Sequence, residues 1–142
     1  MFKQICFFKK RPDMSMAEFM DYYENQHSKL QERIGKPSIP NAVRYVRRYL
    51  TPATNPVTGE VHDCGYDCIM EIWWNNREDF EHSQRLVADP ERLPYTMEDE
   101  KQLFATHANP ICIAEEYDSP MGPNGEIYDW VPVVREGVGK GA

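Results

Sequence analysis

The chain of 142 residues is 41% hydrophobic, 27% charged and 12% aromatic, which is enough apolar material for one packed domain and too little length for two. Its 16 basic and 23 acidic side chains leave a formal charge of -7 at pH 7, which argues against nonspecific binding to nucleic acid or anionic lipid and makes small molecules the expected partners. No apolar run approaches the roughly 18 residues of a helical membrane span, and the basic cluster follows the first apolar run instead of preceding it, so no membrane partner and no secretion signal are read and the expected compartment is the cytoplasm.

Residues 2 to 9 are rich in aromatic and β-branched side chains and close on Lys10-Arg11-Pro12-Asp13, the pattern of a first strand and a turn. Ser15 and Glu18 then have capping-box spacing. Met16, Phe19, Met20, Tyr23, His27, Leu30 and Ile34 recur every three or four residues up to Gly35-Lys36-Pro37, which predicts a helix with these side chains on its inner face. Residues 42 to 50 have strand propensity interrupted by Arg44, Arg47 and Arg48, as expected of an edge strand protected by charge. A turn-rich loop from Thr51 to Gly59 separates it from residues 67 to 74, which are apolar on both alternating faces apart from Asp67 and Glu71 and read as a central strand. Asn75 and Asn76 open a helix that holds Phe80, Leu86 and Val87 inward and stops at Asp89-Pro90. Residues 96 to 105 read as a further short helix with Met97 and Phe104 inward, and residues 111 to 117 as a fourth strand.

The order β-α-β-β-α-β is that of a ferredoxin-like α+β fold, in which a four-stranded antiparallel sheet carries both main helices on one face. Because the first and third strands are apolar on both sides, the second sheet face is expected to meet another copy of the chain in a two-fold homodimer. Residues 1–117 are expected to form the domain, and residues 118–142 a C-terminal extension in which Asn124-Gly125 has the pattern of a hairpin turn. Within that extension residues 127 to 134, with Trp130, are expected to dock on the partner or over a pocket mouth. Cys6, Cys64, Cys68 and Cys112 read as reduced thiols, three of them inside strand-like runs where Cys behaves as a small buried hydrophobe.

From Lys10 to Leu30 the sequence carries a basic-x-Pro turn, a capped helix with Glu18-Phe19, and Tyr23-x-x-x-His27-x-x-Leu30. This stretch resembles the opening of EthD-domain proteins. Asp99-Glu100 followed by Leu103-Phe104 is similar to the acids that often precede a hydrophobic pair in that family. The resemblance implies a dimeric α+β barrel. It further implies kinship with cofactor-free decarboxylases, dehydratases, cyclases and isomerases that act on aromatic or polyketide-like compounds, and with members associated with ether breakdown.

Read from the residues alone, Tyr23 and His27 stand at i and i+4 and project from one face of the first helix. A histidine there can take or return a proton near neutral pH, with Tyr23 orienting it or donating to a developing enolate oxygen. The alternative is a core histidine near the last carbonyls of a helix. Glu71, on an apolar strand face, is either an acid–base group whose pKa burial would raise or the partner of Arg44, Arg47 or Arg48 on the neighbouring strand. Phe8, Trp73, Trp74 and His107 are candidate substrate-binding residues, with at most one of the two tryptophans expected to line a pocket because they point to opposite faces. His82 is expected to be solvated. His62, Cys64 and Cys68 lack the paired spacing of a zinc site, so no metal is expected, and no nucleotide-binding or serine-hydrolase motif is present.

Together with what the resemblance implies, these features lead to the expectation of a cofactor-independent lyase or isomerase acting on an aromatic or polyketide-like carbonyl compound, with His27, Tyr23 and Glu71 as catalytic candidates and no cofactor. A non-catalytic small-molecule binding protein is the alternative. Haem handling, implied by the wider α+β barrel superfamily, is a second alternative.

Overall fold

Along Phe2–Phe8 the side chains alternate between a buried set, Gln4, Cys6 and Phe8, and a half-buried set, Lys3, Ile5 and Phe7. That is the period of a strand covered unequally on its two faces. In the computed structural model, which describes residues 1–127, this strand, β1, lies inside a four-stranded sheet together with β3 (Cys68–Trp74). β1 and β3 run antiparallel in register from Phe2 opposite Trp74 to Phe8 opposite Cys68. β2 (Arg44–Tyr49) and β4 (Ile111–Ala114) form the edges, giving the order β2-β3-β1-β4, antiparallel throughout. The fold is the ferredoxin-like α+β arrangement expected from the element order.

The Ser15 hydroxyl accepts from the Glu18 amide while the Glu18 carboxylate accepts from the Ser15 amide, and this capping box starts α1 (Met16–Asn25). Phe19 and Tyr23 form its buried stripe, both 0% exposed. Met20, expected on the same face, points outward instead, because helical geometry places it about 80° from the centre of that stripe. The single long helix expected up to Gly35 is broken. Gln26 leaves helical geometry, with φ -123 and ψ -60, a 3-10 turn follows over His27–Lys29, and α2 covers Leu30–Ile34. Gly35 closes α2 at φ 68, the left-handed conformation that glycine takes without steric cost.

Asn76 caps α3 (Arg77–Ala88), whose Phe80 packs on Phe2 with ring centroids 5.1 Å apart. α4 spans Leu93–Glu100 instead of 96 to 105, starting earlier because Pro94 suits a first helical turn. Thr96 and Asp99, three residues apart, are the buried residues of α4, Asp99 against Tyr22, His27 and Arg33, so Met97 turns outward against expectation, while Leu103 and Phe104 enter the core from the turn that follows. β4 ends at Ala114, short of the expected 117, and on this edge Cys112 is exposed instead of buried; Cys6 and Cys68 are buried as expected.

Beyond β4, Met121 bridges Ile127 around a turn that holds Gly125 at φ 79. The docking expected of residues 127 to 134 lies outside the described residues after Ile127. No helix among the described residues is long and apolar enough to cross a membrane. The sheet face away from the helices carries Ile5, Phe7, Val46, Ile69 and Trp73, all half-buried within one chain. Lys3 lies over the Trp73 ring at 3.7 Å and Arg44 at 4.8 Å.

Candidate active site

Between the sheet and the helices lies a cavity of about 410 Å³, walled on the sheet side by Gln4, Cys6, Phe8, Met70 and Ile72. The alternation of β1 and β3 puts these side chains on the helix-facing surface. Phe8 stacks on Phe104 with centroids 4.3 Å apart, so two large rings form one end of the wall.

His27 enters this cavity from the 3-10 turn, where the helix has already broken. Its ring meets Tyr23 edge-on at 4.8 Å and Phe104 at 5.3 Å. The Nδ1 atom lies 2.7 Å from Oδ2 of Asp99, on the inner face of α4. Asp99 also accepts from the Tyr22 hydroxyl at 2.7 Å and from Nη2 of Arg33 at 2.8 Å. Burial pushes the Asp99 carboxyl upward, but the hydrogen bonds from His27, Tyr22 and Arg33 outweigh it and hold the group below the usual carboxylate range. An ionised carboxylate has no proton to give, so Nδ1 carries the hydrogen and Nε2 keeps the lone pair in the neutral ring. Nε2 is thus the ring nitrogen of His27 that Asp99 does not engage.

Tyr23 packs beneath this wall and does not reach it. It is 0% exposed, and its hydroxyl lies 3.0 Å from that of Tyr45, which does line the cavity. Burial pushes both phenols up, Tyr45 to about 12, so both stay protonated. When the Tyr23 hydroxyl donates to Tyr45, the Tyr45 proton is available to a bound molecule. Behind this pair Glu24 accepts from Arg47 and from Tyr49, tying α1 to β2.

Glu71 lies on the opposite sheet face and takes no part in the cavity. It accepts from Nη1 of Arg48 at 2.5 Å and from Nε1 of Trp73 at 2.9 Å. Burial raises its pKa, but these bonds prevail and hold it below the usual range, the reverse of the shift expected for an isolated carboxylate. Neither tryptophan lines the cavity. Trp73 is under Lys3 and Arg44, while Trp74 is fully buried and donates to Oε1 of Gln4 at 3.2 Å, thereby orienting an amide that does line it.

His107 lines the cavity, its Nδ1 3.4 Å from Oε1 of Glu100. Burial raises the Glu100 pKa, with the bond to His107 acting in the opposite direction. His82 is solvent-exposed. His62, Cys64 and Cys68 do not converge, since Cys68 is in the core while Cys64 and His62 are at the surface. Phe8, His27 and His107 thus share the cavity, and Tyr23, Glu71, Trp73 and Trp74 stand outside it. Asp99 and Tyr45 are the partners missing from the candidate residues read from the sequence. Asp99 had a signal, its i, i+3 spacing from Thr96 on one helix face, whereas Tyr45 is placed by strand pairing alone.

A family model described as the EthD domain matches residues 11–107. Among solved structures, an ethyl tert-butyl ether D family protein from Bacillus halodurans is 19% identical, with 82% of this chain and 100% of that one covered at a TM-score of 0.50. A protein from Arabidopsis thaliana is 11% identical over 83% of this chain and 97% of its own, with a TM-score of 0.52. A dimeric protein of unknown function and ferredoxin-like fold from Bacteroides fragilis is 15% identical over 81% and 95% of the two chains, with a TM-score of 0.44. No curated protein matches the sequence.

Proposed function

The chain belongs to the EthD domain family, and from that premise we propose that it is a cofactor-independent lyase or isomerase acting on an aromatic or polyketide-like carbonyl compound. The observation that carries this reading is the His27–Asp99 pair, 2.7 Å apart in the wall of a cavity of about 410 Å³. With the substrate carbonyl in the cavity, Nε2 of His27 takes the proton from the adjacent carbon. The electron pair moves onto the carbonyl oxygen, where the Tyr45 hydroxyl donates to the developing enolate. Asp99 stabilises the imidazolium that results, as an acceptor already in place before the proton moves. Return of the imidazolium proton at another carbon gives isomerisation; expulsion of a β-hydroxyl, which leaves as water with that proton, gives dehydration; and attack of the enolate carbon on a second carbonyl, whose oxygen takes the proton, gives ring closure. In a decarboxylation the bond to a β-keto carboxylate breaks in place of the C–H bond, its electron pair moves onto the same carbonyl oxygen, and the carbon is then protonated.

Phe8 and Phe104 offer stacked rings to an aromatic substrate. The working unit is a homodimer, a reading supported by the apolar sheet face that one chain leaves half-covered.

The test is exchange of deuterium into aromatic ketone and polyketide-like candidates, followed by NMR. The wild type should catalyse exchange at the carbon next to the carbonyl, and His27→Ala should slow it by about 10²- to 10⁴-fold with little change in binding. Asp99→Asn should slow it in the same sense. Binding without exchange in the wild type would instead identify a non-catalytic binding protein.

A further inference from the structure

Arg92 differs from every other basic side chain around the cavity. It is 6% exposed, lines the cavity wall and stands at the start of α4. Its Nε donates to the Lys36 carbonyl at 3.4 Å, and its Nη1 donates to the Thr96 hydroxyl. These partners are neutral. No carboxylate among the described residues forms an ion pair with Arg92, and Nη2 makes no hydrogen bond to them. The acid that its charge feels is Asp99, and Asp99 is already engaged by His27, Tyr22 and Arg33.

A guanidinium stays protonated even when buried, so the wall holds a fixed positive charge with one fork position open. Such a group is costly to bury unless something completes it. Thr96 adds a second contact. Its oxygen accepts from Arg92, which leaves its own O–H to donate, and Thr96 lines the same cavity. The other charged groups there are Glu32, exposed toward solvent, and Glu100, which faces His107.

We propose, resting on the acid–base reading above, that the substrate carries a carboxylate which binds Arg92 and Thr96 while its carbonyl end meets His27. The open Nη2 of Arg92 and one hydroxyl match the two oxygens of a singly charged carboxylate, whereas a phosphate dianion would call for more donors than this wall provides. The carboxylate fixes the molecule by one end, so the carbon acid is delivered to His27 in a single orientation.

The test uses benzoate and its uncharged methyl ester as probes in isothermal titration calorimetry. The wild type should bind benzoate about tenfold or more tightly than methyl benzoate. Arg92→Met, which keeps bulk without charge, should bring the two affinities together. If Arg92→Met does not fold, Arg92→Lys, which keeps the charge but loses the fork, should weaken benzoate several-fold and leave the ester unchanged. His27→Gln should retain the preference for the acid, which separates this site from the proton-transfer reading. Failure of deuterium exchange alone would remove the latter and leave the anion site standing. Equal affinities in the wild type, binding of neither probe, a preference that survives in Arg92→Met, or unchanged benzoate affinity in Arg92→Lys would overturn the proposal.

Discussion

Asp99 and Glu100 are neighbours on α4, yet their environments drive them in opposite directions. Asp99 accepts three hydrogen bonds that stabilise its charge, so its folded pKa is below the unfolded value, and the stability it contributes is present above about pH 4 and is lost as pH falls through the folded value. Asp99→Asn should therefore lower stability by about 2 kcal/mol at neutral pH. The gap to wild type should narrow progressively in thermal melts taken at decreasing pH below about 4. Glu100 has the opposite sign. Burial raises its folded pKa, so its contribution is present below the unfolded value and is lost as pH rises through the folded one. Glu100→Gln should consequently raise the melting temperature at pH 7.5 and leave it unchanged near pH 4. Of the two phenols, Tyr45→Phe should slow the proposed reaction more than Tyr23→Phe, because only Tyr45 reaches the cavity; steady-state kinetics on a substrate identified by exchange would check the order.

The broken first helix marks where periodicity stops being informative. Phe19, Tyr23, His27, Leu30 and Ile34 keep an inward spacing across the break, and neither Gly nor Pro lies near Gln26 to announce it. Phase was therefore legible while continuity was not: at the break Ser28 and Lys29 donate to the Glu24 carbonyl and Arg33 to that of Gln26, while His27 meets Asp99 from a distant helix. The capping box was legible because it is local. Ser15→Ala should cost about 1 kcal/mol in chemical denaturation. The strands were legible from their composition, and β2 as an edge from its arginines. Which of its tyrosines meets Tyr23 depends on register with β3, and register joins residues far apart in sequence. Glu71 was ambiguous for the same reason, since only strand pairing sets it beside Arg48.

At the scale of the whole molecule, the proposed homodimer would close over the half-covered face of Ile5, Phe7, Val46, Ile69 and Trp73. Light scattering should report twice the 16.6 kDa chain mass, and Ile69→Glu, which adds charge to the middle of that face, should shift the equilibrium toward monomer. β1 has a different significance when time is considered. It is held on one side by β3 and on the other by β4, so the strand that leaves the ribosome first is the one whose neighbours are translated later. At about 5 to 20 residues per second, Phe7 waits roughly 3 to 12 s for Ile69 and longer for the final edge. During that interval an apolar segment travels unaccompanied on the nascent chain. A ribosome stalled before Cys68 should thus retain a holding chaperone that one stalled well after Ala114 releases, and co-purification of the two stalled complexes would show it.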